Sequence, residues 1–327
     1  MGVVALDPGT VNLVCAWEKD GKVMVSRLRN VFLEIPNDNF SRRMLATLKV
    51  PEFEVGGKLY LAGNEAFELA QTFGKELRRP MQSGVISSGE SDALPMITRM
   101  VERLLKESGA TKGWKCPYAI PADPVNETFD VTFHRSVIEG ILKKNGLEPT
   151  PVVEAHAIIL AELADAQFTG IAMSWGGGMV NVCVSYRSVP VIAFSSVRAG
   201  DWIDTMAAQA CGTVRPRITA VKESASFDLA ADSPTREQAA LISYYEAAIQ
   251  YALENIKKRF ISGKDMPQFS EPVSIVLAGG TASPKGFSAV FKKVFDRIEF
   301  PIPVKKIYVA EDPLYTVTRG ALVFGSL

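Results

Sequence analysis

The chain has 327 residues, 47% of them hydrophobic and 22% charged, enough for one large core or two ordinary ones. Lys plus Arg and Asp plus Glu balance at 36 each, so no net field selects nucleic acid or an anionic membrane as partner. No run approaches the length of a membrane span, and the scattered Cys15, Cys116, Cys183 and Cys211, with only His134 and His156 beside them, read as free thiols in a reducing compartment rather than a disulfide framework or a zinc site.

The N-terminus runs directly into a strand without a basic leader, and Leu6 stands where a myristoylation motif takes Ser or Thr. A cytoplasmic protein is expected. Residues 3–17 and 22–28 read as successive strands, turned at Asp20-Gly21. The stretch 31–79 is polar and broken, with Pro36-Asn37-Asp38-Asn39, Pro51 and Gly56-Gly57, and reads as a small inserted subdomain with one short helix at 65–72. Apolar spacing predicts helices over 91–106 and 127–144, with a strand ending at Pro121 between them. Pro149-Thr150-Pro151 reads as a break, which divides the chain into a first lobe, 1–150, and a second, 151–312. The second lobe opens with a helix over 154–167. Strands follow at 179–186 and 190–197, then helices at 202–210 and 238–260, a buried strand at 272–277 and a helix at 286–295. A last apolar helix within 313–327 is expected to return to the first lobe. Strands lead each half and helices follow, so the class is α/β, two similar lobes each with a mixed sheet flanked by helices.

Two copies of one turn stand out. Val4 to Trp17 reads as strand, Asp7-Pro8-Gly9-Thr10 turn and strand, and Ala172 to Tyr186 as strand, Gly176-Gly177-Gly178 turn and strand; both second strands pass through Val-Asn and a Cys. Such turns expose successive backbone N–H groups, and a facing pair can grip a polyphosphate from two sides. Asp7, at the mouth of the first, is the residue type that holds Mg²⁺, directly or through water; in an ordinary hairpin it would simply be solvated. Gly9 permits close approach, and Thr10 and Asn12 offer side-chain hydrogen bonds. Three glycines between apolar strands weaken those strands, so a closely approaching ligand is a reason for them, against a loose hairpin. Gly279, Gly280 and Thr281 follow a buried strand, where ligands lie in α/β folds, although Gly-Gly also merely ends strands. Glu154 opens a helix and could orient or deprotonate a water aimed at a γ-phosphate; equally it suits a helix start through the dipole.

Taken in order, these turns resemble those of the actin superfamily, which also holds heat-shock chaperone ATPases and sugar kinases, and the resemblance covers nearly the whole chain. Asp7-Pro8-Gly9-Thr10 resembles its first phosphate loop, Ser174 to Gly178 its second, and Ala278 to Thr281 its adenosine motif. Glu154-Ala155 resembles the hydrolytic-water position, Val221-Lys222-Glu223 the Lys-Glu pair beside adenine and ribose, and Arg198 to Asp201, through Gly200, the turn after the second loop. Gly63 to Glu68 and Arg79 to Ile86 look like the bacterial actins of the MreB and MamK group. Ala220 to Glu223 and the stretch from Asp312-Pro313 to Leu322 lean to the MamK side. The resemblance implies a four-subdomain fold with ATP or ADP and Mg²⁺ in the cleft, and head-to-tail filaments whose main partner is the chain itself, with other cytoskeletal or organelle-positioning proteins beside it.

Departures qualify it. Ser174 stands where the family's Asp organises metal and water, which predicts slow hydrolysis. Met179 and Asn181 replace polar or acidic residues, Pro8 and Val11 also depart, and Thr281 replaces a third Gly. Few residues separate Glu223 from the helix at 238, so the fourth subdomain, at about 223–271, reads as reduced. Two further readings stay open: a degenerate nucleotide-binding adaptor or regulator of another actin-like filament, and a small-substrate phosphotransferase or chaperone-like ATPase.

Overall fold

Residues 2–263 and 267–327 are described in this computed structural model. The chain begins as a meander. β1 (Val4–Pro8) turns through the first Gly-containing loop into β2 (Asn12–Lys19). Asp20 and Gly21, at φ 52° and 72°, then return it as β3 (Lys22–Arg29), the two-residue hairpin whose backbone twist matches its strands. β4 (Phe32–Ile35), α1 (Asn39–Leu48), β5 (Phe53–Val55), β6 (Lys58–Ala62) and α2 (Asn64–Phe73) form a small unit with sheet order β4-β6-β5 around Leu33, Leu45, Leu59 and Leu61. Only α2 was expected there. The Pro36 to Asn39 segment that reads as a break is the entry to α1, where the Asp38 carboxylate accepts the Ser41 N–H at 2.7 Å as an N-cap.

A short hairpin follows, β7 (Met81–Gln82) and β8 (Val85–Ile86), then α3 (Ala93–Ser108), β9 (Lys115–Ile120), α4 (Thr132–Lys144) and β10 (Glu148–Val153). α4 starts five residues later than the apolar spacing predicts, because Asp130 accepts the Thr132 N–H and holds the preceding segment as a turn. Pro149-Thr150-Pro151 is not a break. It lies within β10, paired residue by residue with β9 from Glu148 to Val153 at the edge of the sheet, where a missing N–H costs least. The first sheet has the order β10-β9-β1-β2-β3 and ends at Val153.

The second half repeats the plan. α5 (Glu154–Glu162) leads into β11 (Gly170–Trp175), β12 (Val180–Tyr186) and β13 (Val189–Ser196), another meander; α6 (Gly200–Cys211), α7 (Arg215–Lys222) and α8 (Arg236–Ser262) follow. α8 is about 40 Å long and starts on a capping box between Thr235 and Gln238. β14 (Val273–Ala278), α9 (Phe287–Phe295), β15 (Val304–Val309) and α10 (Thr316–Ser326) complete the chain. The sheet order is β13-β12-β11-β14-β15, so position for position it repeats the first sheet. β15 was not expected: Lys305 and Lys306 interrupt its apolar pattern, as an edge strand allows. The expected small subdomain at 223–271 includes 264–266, which lie outside the described residues. Between β13 and β14 the described residues form helices and loops and no strand.

The register sharpens the repeat. Asp7 pairs with Val14 across the first hairpin and Ser174 with Asn181 across the second, four loop residues each. Asn12 therefore corresponds to Met179 and Cys15 to Val182. The shared Val-Asn and Cys letters of the two second strands are two and one residues out of structural register.

Each sheet has its own core, the first with α3 and α4, the second with α8, α9 and the buried Trp175. A third, alanine-rich cluster lies between the sheets, where α5 and α10 pack on each other and on strands of both. One further segment crosses. After β9, residues 122–126 leave the first sheet and lie along β13: Ser195 N–H donates to Asp123 O at 3.0 Å, Val125 N–H to Ser195 O at 2.9 Å, and the Ser195 hydroxyl to Ala122 O at 2.7 Å. This strap returns to α4 in the first lobe.

Candidate functional site

The two glycine hairpins face each other across a cleft of about 480 Å³ between the sheets, a volume suited to a small ligand. Asp7, Gly9, Thr10 and Asn12 line it from the first hairpin and Ser174, Gly176 and Gly177 from the second. Glu154 closes the floor, and Lys222, Glu223, Gly279, Gly280 and Thr281 form the far wall. Twelve of the fourteen candidates are thus brought together.

Gly178 and Gly200 do not line the cleft. A Cβ on Gly178 would overlap the Thr10 hydroxyl and the Gly84 backbone N, so this glycine serves the apposition of the lobes. A Cβ on Gly177 would overlap Cγ2 of Val11 in the same way. Gly200 sits behind the second loop, with its N–H on Gly176 O at 3.1 Å, and the next N–H, of Asp201, reaches Gly177 O at 2.7 Å. The Thr281 hydroxyl donates to Gly176 O at 2.8 Å and is 5% exposed, so it braces the loop. Gly279, at φ +94°, passes directly over the Trp175 carbonyl, where no side chain fits.

The first loop is held from β3. Asn30, fully buried, donates its side-chain amide to Gly9 O at 2.9 Å and its backbone N–H to Val11 O at 2.8 Å. The Thr10 hydroxyl accepts the Gly84 N–H at 3.1 Å from the turn of the β7–β8 hairpin. Sequence reasoning missed Asn30; its only signal was an Asn at a strand end, common in any turn.

Glu154, the first residue of α5, accepts hydrogen bonds at Oε2 from the Asn181 amide at 2.9 Å and the Ser174 hydroxyl at 3.3 Å. Asn181 in turn accepts the Ala122 N–H of the strap at 2.9 Å, which fixes its amide orientation. Burial pushes the Glu154 carboxyl up to about 8, with the Asp7 charge adding to the rise and the two hydrogen bonds opposing it. Burial likewise lifts Asp7 to about 7. Among the described residues, neither acid has an ion pair with Lys, Arg or His.

Two cations of the cleft are bound to acids of the second lobe. Arg79 makes a bidentate bridge to Asp201, 2.9 Å to both oxygens, from the first lobe to the second. Lys222 is 2.7 Å from the buried Asp204, an ionic contact rather than an aligned hydrogen bond, and donates to Gly200 O at 3.3 Å. Thr219 completes that cluster at 2.8 Å from Asp204. Lys222 is therefore engaged in joining α7 to α6, and Glu223 is the freer of the expected pair.

These residues suit a metal–polyphosphate. Among the described residues no three His, Cys, Asp or Glu side chains converge, so Asp7 and Glu154 supply two carboxylates and further oxygens would come from phosphate and water. Asp7 would hold Mg²⁺, whose positive charge is what the unrelieved acid pair lacks. Gly9, Gly176 and Gly177 line the cleft between these acids and the far wall.

The family model described as Volactin matches residues 2–324. No curated protein matches the chain in sequence. Among solved structures it is similar to the MamK double helical filament, at 18% identity and TM-score 0.75, covering 100% of this chain and 99% of that one. It is also similar to MreB5 of Spiroplasma citri bound to AMPPNP, at 15% identity and TM-score 0.70, covering 99% and 95%. The ethanolamine utilization protein EutJ of Carboxydothermus hydrogenoformans follows at 16% identity and TM-score 0.57, covering 99% and 90%. The shared architecture is the actin-like ATPase fold.

Proposed function

The chain belongs to the Volactin family, and from that premise we propose that it is a cytoskeletal protein that binds Mg²⁺-ATP or ADP between its lobes and assembles head to tail into filaments, with slow ATP hydrolysis. The observation that carries the reading is the facing pair of hairpins in equivalent register, with the buried carboxyls of Asp7 and Glu154 beside them. The MamK neighbour is a double helical filament and the MreB5 neighbour is bound to AMPPNP, which supports assembly and nucleotide binding here.

In this reading a bound ATP would supply a γ-phosphoryl group that water attacks at phosphorus, with ADP as the leaving group. Glu154 orients that water, held toward it by Asn181 and Ser174. Burial raises this carboxyl in the nucleotide-free protein and a bound Mg²⁺ would lower it again, so its two hydrogen bonds, rather than its charge, set its orientation toward the water. Ser174 adds no charge where a carboxylate would help to organise metal and water, and this keeps turnover slow. Gly9, Thr10, Gly176 and Gly177 seat the phosphates, and Glu223, Gly279 and Gly280 the nucleoside. The four subdomains would be the body of each sheet, the unit at 31–79 and a helical unit after β13. No described helix is long and apolar enough to cross a membrane.

Ser174 also favours a second reading, a nucleotide-binding regulator of another actin-like filament. High-speed sedimentation with Mg²⁺-ATP, Mg²⁺-ADP and no nucleotide separates the two. Pelleting that depends on ATP supports the filament. A protein that binds ATP yet stays in the supernatant under all three conditions supports the regulator.

A further inference from the structure

Five cations line the cleft, and four are engaged. Arg79 is bridged to Asp201, Lys222 to Asp204, and Lys285 to Asp228 at 2.7 Å. Arg29 lies over the Phe67 ring at 3.9 Å. Arg27 is half-buried and, among the described residues, has no ion pair, hydrogen bond or ring contact. A guanidinium withdrawn from water without a partner is an unfavourable arrangement in the free protein. Its position gives the cost a use.

Arg27 pairs with Val14 across β2–β3, and Val14 pairs with Asp7 across β1–β2. Directly opposed residues share a sheet face, so Asp7, Val14 and Arg27 form one row, about 10 Å from end to end. The middle of the row is an apolar Val, and the two ends carry opposite charge. Asn30, the residue after this strand, holds the first loop through Gly9 and Val11. Arg27 is thereby fixed relative to the loop that would seat the phosphates.

We propose that Arg27 is the phosphate-contacting cation of the cleft, taking oxygens of the polyphosphate chain of a metal–nucleotide while Asp7 faces the metal. This rests on the nucleotide reading above and adds to it a residue from β3, outside both hairpins. The ligand that satisfies the row carries negative charge beside Arg27 and a cation beside Asp7, as a Mg²⁺-nucleoside triphosphate does. A free metal ion satisfies one end only, and an uncharged nucleoside neither.

The test measures binding of AMPPNP with Mg²⁺, and of adenosine, to the full chain and to Arg27→Met and Arg27→Lys, together with the melting temperature of each nucleotide-free protein. Expected are about tenfold or greater loss of AMPPNP affinity in Arg27→Met, unchanged adenosine affinity, partial recovery in Arg27→Lys, and a melting temperature at or above wild type. Equal AMPPNP affinity in wild type and Arg27→Met overturns the assignment while leaving the nucleotide reading intact. Equal loss for adenosine and AMPPNP also overturns it, because that pattern reports a disturbed fold. A wild-type protein that binds no AMPPNP removes the nucleotide reading and this inference with it.

Discussion

The two lobes carry the same sheet order and the same four-residue hairpin, yet their hairpins are not interchangeable. In both, the first glycine is tight: a Cβ on Gly9 or on Gly176 would lie 2.8 Å from a backbone oxygen, that of Asn12 or of Met179. Beyond that glycine they diverge. The first loop continues with Thr10 and Val11, the second with Gly177 and Gly178, and the side chains of the first occupy the space the second leaves bare. The glycine run, which reads as an opening for a ligand, is in part a socket for the opposite lobe. A duplicated motif has become a complementary pair, one half bearing side chains and an acid, the other bare backbone and Ser174.

The strongest way to break that complementarity is Gly178→Ala. Its new methyl meets the Gly84 backbone, which has little room to yield. A loss of about 3 kcal/mol in urea unfolding is expected, and a loss below about 0.5 kcal/mol would show that the lobes slide apart freely.

Acid should act on the first lobe before the second. His134, 1% exposed in α4, has no hydrogen bond at either ring nitrogen, and burial lowers it from 6.5 to about 4. The folded state prefers the neutral ring, so its contribution is complete above pH 6.5 and is lost as pH falls towards 4. By pH 5 the loss amounts to about 2 kcal/mol. His156 in α5, also lowered by burial, retains a contact with Ser188 O at 3.1 Å. Hydrogen exchange at pH 5 should open α4 first, and His134→Leu should flatten the stability profile between pH 7 and 5. An unchanged profile would show that the ring is reached by water.

The gentlest change makes the hairpins more alike. Ser174→Asp puts a third carboxyl beside Glu154 and Asp7 and should cost the nucleotide-free protein roughly 1 kcal/mol. With Mg²⁺-ATP present it should speed phosphate release. Slower or equal release would locate the limit elsewhere than Ser174.

The parts legible in sequence were those whose pattern is local. β11 and β14 are buried runs broken by one serine each, and α3 and α8 keep helical spacing over four turns or more. α1 hid because its cap residues resemble a break, β10 because prolines argue against strands until the edge position is known, and β15 because two lysines interrupt it. At the site, twelve candidates line one cleft because the Gly and acid positions bracket strand ends. The roles of Asn30, Asn181 and Arg27 depend on cross-strand register and on the strap, which no spacing along the chain encodes.

The strap at 122–126 has a mechanical meaning. It fastens the lobes beside the Asn181–Glu154 contact, and the β10-to-α5 junction fastens them again close by. The Arg79–Asp201 bridge and the seat of Gly177 and Gly178 on Val11 and Thr10 clamp the opposite side of the cleft. The two hairpins are thus registered like the halves of a mould, held at floor and rim, and moving the lobes apart has to part the rim contacts while the floor stays joined.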